Sequence, residues 1–136
     1  MNDGGLVGIV LVSHSAEVAA SVAELAKGLA AGGSAVPVAS AGGTEAGGLG
    51  TSAELISAAA ASVDRGAGVA VLTDLGSAVL TVKALLAEGD ELPPHSRLVD
   101  APFLEGAVAA VVTAATGADL DAVEAAAVEA YTYRKT

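Results

Sequence analysis

Short apolar segments alternate with longer amphipathic segments along this chain. Segments 6–12 and 68–73 are apolar at nearly every position, which is typical of strands buried on both faces of a parallel sheet. Weaker strands are predicted at 35–40 and 96–100. Helical spacing of apolar residues follows each strand, and the predicted helices cover 16–31, 51–64, 77–88, 102–116 and 119–130. The alternation predicts an α/β protein with an open, mainly parallel sheet of about four strands and helices on both faces.

The order of the strands can be predicted from their composition. Pro37 has no N–H group to donate to a neighbouring strand, so the second strand is expected at an edge of the sheet. The first and third strands are the most apolar and are expected in the centre. The simplest order is then 2-1-3-4 with right-handed crossovers. The winding of the chain reverses between strands 1 and 3, and ligands gather at such a point outside the carboxyl ends of the strands.

Polar residues and glycines mark the ends of the predicted helices. Thr51 and Glu54 have the spacing of a capping box, and Asp119 is the predicted N-cap of the last helix. Residues 1–130 are predicted to form a single domain, and residues 131–136 a flexible tail. The length of 136 residues fits one hydrophobic core.

Composition and charge exclude several classes of function. The net charge is −10 with only six Lys and Arg residues, so no basic surface is available to neutralise nucleic acid or an anionic membrane. The chain has no Cys, which excludes thiolate chemistry and disulfides. No apolar run approaches the length of a membrane helix, and the first residues lack the basic region of a signal peptide. A soluble cytoplasmic protein without membrane insertion is therefore expected.

Two residues that carry reactive groups are expected at the switch point of the sheet. His14 follows strand 1 and Asp74 follows strand 3, so parallel strands bring these distant residues to one crevice. His14 is interpreted as a nucleophile or general base, and the alternative is a histidine satisfied by local backbone groups. Asp74 is suited to orient the imidazole by accepting from Nδ1–H, and the alternative is a helix-start aspartate.

Glycine-rich turns near these residues are candidates for binding an anion. The loop 41–50 brings backbone N–H groups close together, although such a loop is equally compatible with a simple connector. It lacks the Lys of the phosphate loop and does not match the dinucleotide fingerprint. No cluster of residues has the spacing of a metal site. The candidate donors are Ser15, Gly43, Thr44, Gly76 and Ser77.

Three motifs resemble those of a known family. They are Val-Leu-Val-Ser-His-Ser at 10–15, Pro-Val-Ala-Ser-Ala-Gly-Gly-Thr at 37–44 with Leu-Gly-Thr-Ser at 49–52, and Val-Leu-Thr-Asp-Leu-Gly-Ser-Ala at 71–78. Their order and spacing resemble the phosphocarrier subunits of bacterial dihydroxyacetone kinases, which are similar to the IIA domains of the mannose-type sugar phosphotransferase system. The resemblance extends to about residue 130, which makes 1–130 a single domain of the IIA type.

The resemblance implies a role for the histidine and a set of partners. His14 would accept a phosphoryl group from HPr and pass it to ADP on the nucleotide-binding subunit of the kinase, and a third subunit binds dihydroxyacetone. Asp74 would orient the ring, and the candidate donors named above would bind the phosphoryl group. No cofactor or metal is implied. Mannose-type domains are homodimers with an antiparallel fifth strand, which the sequence does not clearly show.

Three other functions are compatible with the residues. The chain could be a IIA component for a mannose-type sugar, a nucleotide- or flavin-binding module that uses the glycine loops, or a hydrolase with His14 as general base. The missing Lys and fingerprint disfavour the nucleotide-binding module, and the lack of a convincing nucleophile disfavours the hydrolase.

Overall fold

The computed structural model describes residues 5–136, which form one parallel sheet with helices on both faces. The strands are β1 (Gly8–Ser13), β2 (Val38–Gly42), β3 (Val69–Thr73) and β4 (Ser96–Leu98). The helices are α1 (Ala16–Leu29), α2 (Ala53–Val63), α3 (Gly76–Glu88), α4 (Phe103–Ala115) and α5 (Leu120–Glu129). The strand order is β2-β1-β3-β4 and every pair is parallel, so the predicted fold class and strand order are confirmed.

The two faces of the sheet explain why the central strands are apolar at every position. Side chains alternate between the faces of a strand, so a strand covered on both faces has no solvent-facing position. Ile9 and Leu11 pack with α1, α4 and α5 on one face, whereas Val10 and Val12 pack with α2 and α3 on the other. All six residues of β1 and all five of β3 are buried.

Strand β2 begins three residues later than the sequence predicted. A short 3₁₀ turn at Gly33–Ala35 follows α1, and β2 starts only after Pro37. The Pro37 carbonyl accepts a hydrogen bond from the N–H of Ile9 at 2.9 Å, so the proline supplies an acceptor although it lacks a donor. β2 pairs only with β1, which confirms its position at an edge.

Side-chain caps begin three of the helices at or near the predicted positions. The hydroxyl of Ser15 accepts from Val18 N–H at 3.2 Å at the start of α1, and the Asp119 carboxylate caps α5 as predicted. The predicted cap of α2 is wrong by one residue: Ser52, not Thr51, accepts from the helix, and α2 therefore starts at residue 53. Both residue types cap helices well, so composition alone does not separate them.

The carboxyl-terminal residues make contacts with the rest of the chain. The Tyr131 hydroxyl donates to the Asp100 carboxylate at 2.6 Å, and the ammonium group of Lys135 pairs with Glu105. The flexibility predicted for residues 131–136 stays a prediction.

No fifth strand is present in the part of the chain that the structure describes, where the sheet has four strands.

Within the same residues, none of the helices has the length and apolar character needed to span a bilayer.

Candidate active site

The fold brings His14 and Asp74 together at the carboxyl edge of the sheet. β1 and β3 are neighbours in the sheet, and the two residues come directly after their ends. The N–H of Asp74 donates to the carbonyl of Val12 at 3.0 Å. This bond continues the hydrogen-bond ladder between β1 and β3 and fixes the position of the carboxylate beside the ring. The Nδ1 atom of His14 lies 2.9 Å from Asp74 Oδ1. The side chains are 25% and 17% exposed, so the pair is accessible but partly shielded from water.

Both oxygens of the Asp74 carboxylate are held by two donors each. Oδ2 accepts from the backbone N–H of His14 at 3.0 Å and from the Ser13 hydroxyl at 2.9 Å. Oδ1 accepts from the N–H of Leu75 at 2.6 Å as well as from the imidazole. Burial raises the pKa of this carboxyl, but the hydrogen bonds from His14, Ser13 and Leu75 outweigh burial and hold it below its usual value. Asp74 is therefore ionised at neutral pH.

The ionised carboxylate fixes the tautomer of the imidazole. A carboxylate without a proton can only accept, so the hydrogen between Nδ1 and Oδ1 belongs to the ring. In the neutral ring Nε2 then has a free lone pair, which accepts from the hydroxyl of Ser77. Asp74 does not cap α3, whose N-cap position is Leu75 without a side-chain cap. Its carboxylate instead contacts His14, Ser13 and the N–H of Leu75, and its orienting role stays a prediction.

The amino end of α3 faces the outer nitrogen of His14. Gly76 and Ser77 are the first two residues of the helix, where N–H groups have no intrahelical acceptor. The helix dipole also gives this end a partial positive charge, which favours an anion. The hydroxyl of Ser77 bonds Nε2, so the first turn of α3 is close to the outer nitrogen of the ring.

The glycine-rich loop supports His14 from the opposite side, but most of its predicted donors already have acceptors. Gly43 N–H donates to the carbonyl of Ser13 at 3.2 Å, and Thr44 N–H to that of Gly48 at 2.9 Å. Gly43 has φ +72°, a conformation that favours glycine. Ser15 donates its N–H to Ser13 Oγ, and its hydroxyl caps α1. The phosphoryl-binding role of Ser15, Gly43 and Thr44 stays a prediction.

A close contact between two main-chain segments explains why residue 42 is a glycine. A Cβ atom at Gly42 would lie 2.4 Å from the carbonyl oxygen of Ser15. The end of β2 therefore crosses directly against the start of α1, and only glycine fits there. The contact holds the loop against the segment that carries His14.

Several residues of the site were not among the sequence predictions. Ser13 bonds Asp74 and accepts from the N–H of Ser15 at 3.1 Å, and the N–H of Gly50 donates to the His14 carbonyl at 2.9 Å. Ser13 is the one polar side chain inside an otherwise apolar strand, a signal that could have identified it. No local signal marks Gly50, because its role depends on the path of the loop.

The described residues contain no group of three or more His, Asp or Glu side chains arranged to hold a metal ion. The chemistry that the site itself offers is nucleophilic. An oriented, neutral imidazole presents a lone pair next to hydrogen-bond donors and a helix amino end. This arrangement suits attack on an electrophile that carries negative oxygens.

Comparison with known proteins places the chain among phosphotransferase components. The model of the EIIA-man family, described as the fructose IIA component of the phosphotransferase system, matches residues 8–124. A relative in Escherichia coli (strain K12), the phosphoryl donor subunit DhaM of the PEP-dependent dihydroxyacetone kinase, is 37% identical over 87% of this chain and 25% of its own. The phosphoryl donor subunit DhaM of kinase 2 in Listeria innocua is 35% identical over 79% of this chain and 85% of its own. The chain thus spans about a quarter of the length of the first relative.

A solved structure shares the fold. The crystal structure of the unknown-function protein EF1359 superposes with a TM-score of 0.76 at 31% identity, and the match covers 90% of this chain and 92% of that one. The matched family region contains both His14 and Asp74 together with all four strands. The chain belongs to the EIIA-man family of phosphotransferase-system IIA components, as the sequence motifs predicted.

Proposed function

We propose that this protein is a histidine phosphocarrier, and that His14 takes a phosphoryl group from HPr at its Nε2 atom. The observation that carries the proposal is the pairing of Nδ1 with Asp74 at 2.9 Å, which leaves the Nε2 lone pair directed at the amino end of α3. The carrier then gives the group to ADP on the nucleotide-binding subunit of dihydroxyacetone kinase. The protein is thus a phosphotransferase component with a phosphohistidine intermediate.

The proposed transfer uses no cofactor held by this chain. The Nε2 lone pair of His14 attacks phosphorus as the P–N bond of phosphorylated HPr breaks, and the electron pair of that bond stays on the donor's imidazole. In the second step an oxygen of the ADP β-phosphate attacks phosphorus, and the P–Nε2 bond breaks in turn. Catalysis comes from in-line positioning and from charge stabilisation by fixed donors.

The residues at the amino end of α3 are suited to hold the transferred group. The Ser77 hydroxyl, which now donates to Nε2, would turn to a phosphoryl oxygen once the nitrogen is occupied. The N–H groups of Gly76 and Ser77 add donors at a positive helix end. Thr44 contributes its hydroxyl hydrogen, because the oxygen only accepts from Gly48. Ser15 and Gly43 contribute only if their N–H groups leave their present acceptors.

The names of the relatives favour the kinase over a sugar permease as the acceptor. The similar proteins in E. coli and L. innocua are both phosphoryl donor subunits of dihydroxyacetone kinases. The proposed partners are therefore HPr, the ADP-binding subunit and the dihydroxyacetone-binding subunit, with a role in glycerol metabolism. A IIA component for a mannose-type sugar is the second candidate, because the family is shared.

Labelling with phosphoenolpyruvate, enzyme I and HPr tests the proposal. The protein should gain an acid-labile, base-stable phosphate, and His14→Ala should abolish it. His95→Ala is the matched control, because His95 is exposed and precedes β4 at the opposite edge of the sheet. Labelling that persists in His14→Ala contradicts the site.

Reconstitution separates the two pathways. With both kinase subunits and the phosphorylated carrier, dihydroxyacetone phosphate should form at the expense of phosphoenolpyruvate. Sugar uptake through a mannose-type permease, without kinase activity, would assign the chain to the second candidate.

Two other functions make different predictions. A nucleotide or flavin module should bind its ligand alone. The cavity of about 440 Å³ beside Asp74 is lined by a second carboxylate, Asp100, and by one cation, Lys83, so its charges do not mark it as a phosphate site. A hydrolase should turn over a substrate without a protein donor. Equilibrium dialysis with ADP and flavin tests the first function, and turnover of model esters tests the second.

Assembly and location follow from the same proposal. The family resemblance predicts a homodimer, which sedimentation equilibrium would detect as twice the chain mass of 12.9 kDa. The cytoplasm is the proposed location, because HPr and ADP are found there.

A further inference from the structure

Ser13 places a buried hydroxyl group at the end of an otherwise apolar strand. The residue is 1% exposed, and the five residues of β1 before it are glycine or aliphatic. Burying a hydroxyl group costs free energy unless the group is hydrogen-bonded, so an alanine would suit this position better on packing alone. The serine therefore needs a reason other than the core.

The hydrogen of this hydroxyl has one acceptor. The oxygen of Ser13 accepts from the N–H of Ser15 at 3.1 Å and lies 2.9 Å from Asp74 Oδ2. A hydroxyl has a single hydrogen, and an ionised carboxylate can only accept, so the hydrogen of Ser13 belongs to the bond with Asp74. Ser13 thus connects the carboxylate to the start of α1, where Ser15 is the N-cap.

Ser13 and the imidazole of His14 bond opposite oxygens of the same carboxylate. The Ser13 hydroxyl and the His14 N–H hold Oδ2, while Nδ1 bonds Oδ1 at 2.9 Å. The torsion angle that sets the plane of an aspartate carboxylate is broad, so the surrounding donors decide that plane. A donor at Oδ2 therefore controls where Oδ1 meets the ring, although it bonds the carboxylate and not the ring.

The same bond affects the proton between Asp74 and His14. Burial raises the pKa of the Asp74 carboxyl, and the hydrogen bonds from His14, Ser13 and Leu75 bring that pKa below its usual value. Positive charge develops on the imidazole as Nε2 bonds to phosphorus, which makes the Nδ1 proton more acidic. A carboxylate of low pKa leaves this proton on Nδ1 and keeps its own negative charge beside the ring.

We propose that Ser13 is a positioning residue for phosphoryl transfer, and that its hydroxyl holds the Asp74 carboxylate in the plane that presents Oδ1 to Nδ1 and keeps it charged during transfer. The inference rests on the proposed function of His14. Because Ser13 is buried, it has no surface with which to bind a phosphoryl donor. Its effect therefore belongs to the chemical step and not to docking.

The steady-state kinetics of phosphorylation by HPr test the role of Ser13. Ser13→Ala should lower kcat by about tenfold, with little change in the KM for this protein, because the charged carboxylate loses one hydrogen bond. Ser13→Thr keeps the hydroxyl and should recover most of the rate. Ser62→Ala is the matched control, because the Ser62 hydroxyl also donates to one acceptor, the Ala59 carbonyl, but lies near the far end of α2. Urea titration gives the folded fraction of each variant, so that rates are compared per folded molecule.

A double-mutant cycle with Asp74→Ala separates action through the carboxylate from support of α1. If Ser13 acts through Asp74, Ser13→Ala should cause little further loss once the carboxylate is absent. Losses that multiply would overturn the proposal, since Ser13 would then act by another route, such as its bond to the N–H of Ser15.

The remaining outcomes distinguish this role from the proposed function. A wild-type kcat in Ser13→Ala overturns the positioning role, while labelling of the wild type at His14 leaves the phosphocarrier function standing. A Ser13→Thr variant as slow as Ser13→Ala means that the hydroxyl is not the cause, and it also overturns the role. A wild type that takes no phosphate from HPr overturns the proposed function and the role of Ser13 with it.

Discussion

Replacing Asp74 by Asn tests the central physical argument of the site. The carboxylate accepts four hydrogen bonds, two at each oxygen, and two of the donors are backbone N–H groups that cannot change roles. An Asn side chain has one accepting oxygen and one donating NH₂ group. In either orientation its NH₂ group faces one backbone donor, from His14 or Leu75.

The structure allows the size of the effect to be estimated. If the NH₂ group lies at the position of Oδ1, it must donate to Nδ1, which moves the ring hydrogen to Nε2 and removes the nucleophilic lone pair. If it lies at Oδ2, the correct tautomer is kept but the charge is lost. A hydrogen bond to a charged group contributes about 1.5–3 kcal/mol, which corresponds to about 10- to 160-fold in rate. The unpaired backbone donor should also destabilise the fold by about 1–3 kcal/mol.

Rapid-quench measurement of transfer from phosphorylated HPr gives the rate, and ¹⁵N chemical shifts of the imidazole give the tautomer. Asp100→Asn is the matched control, because Asp100 is an exposed carboxylate that bonds Tyr131 and not His14. It should transfer within about twofold of the wild type, as expected for a surface substitution. Wild-type transfer by Asp74→Asn, with Nδ1 still protonated, would refute the orienting role of the carboxylate.

Three further predictions follow from individual contacts. Ser77→Ala should slow transfer from HPr by about tenfold, because the Nε2 side loses a neutral hydrogen-bond donor. Ser77→Thr keeps a hydroxyl and should keep most of the activity. An unchanged rate of Ser77→Ala in the rapid-quench assay would contradict this role of the hydroxyl. Lowering the pH should remove the free energy that ionised Asp74 contributes to the stability of the fold. The pKa of Asp74 in the folded protein lies below the usual 3.8, so this contribution is present above pH 3.8 and is lost as the pH falls through the folded pKa. The difference in unfolding free energy between the wild type and Asp74→Asn should therefore shrink between pH 6 and acid pH in urea titrations, and a constant difference would argue against the shift. Gly42→Ala should destabilise the protein by about 1–3 kcal/mol because its Cβ overlaps the main chain of α1. Gly28 lies in α1 with open space around it, so Gly28→Ala should instead stabilise the protein by about 0.5–1 kcal/mol. Equal changes of the melting temperature in the two variants would count against the close contact at Gly42.

Much of the fold could be predicted because its signals are local. A strand covered on both faces needs an apolar side chain at every position, and β1 and β3 show this directly in the sequence. Pro37 marked an edge because it has no donor. From the strand order alone, His14 and Asp74 were expected in one crevice, and the structure places them 2.9 Å apart.

The errors lie where two choices are locally equivalent. Thr51 and Ser52 are both good caps, and only the path of the loop decides that Ser52 begins α2. The second strand was predicted to begin at residue 35, but Ala35 ends a 3₁₀ turn and β2 begins only at Val38.

The amino-acid sequence by itself determined the order of the strands in the sheet, and it predicted that His14 and Asp74 meet at one edge of that sheet. Only the tertiary structure decided how many donors surround Asp74, that the amides of Gly43 and Thr44 are already used, and that Ser77 reaches Nε2. The reason is physical. Periodicity and propensity act over a few neighbouring residues, whereas a hydrogen bond depends on distances of a few tenths of an ångström between segments some 60 positions apart.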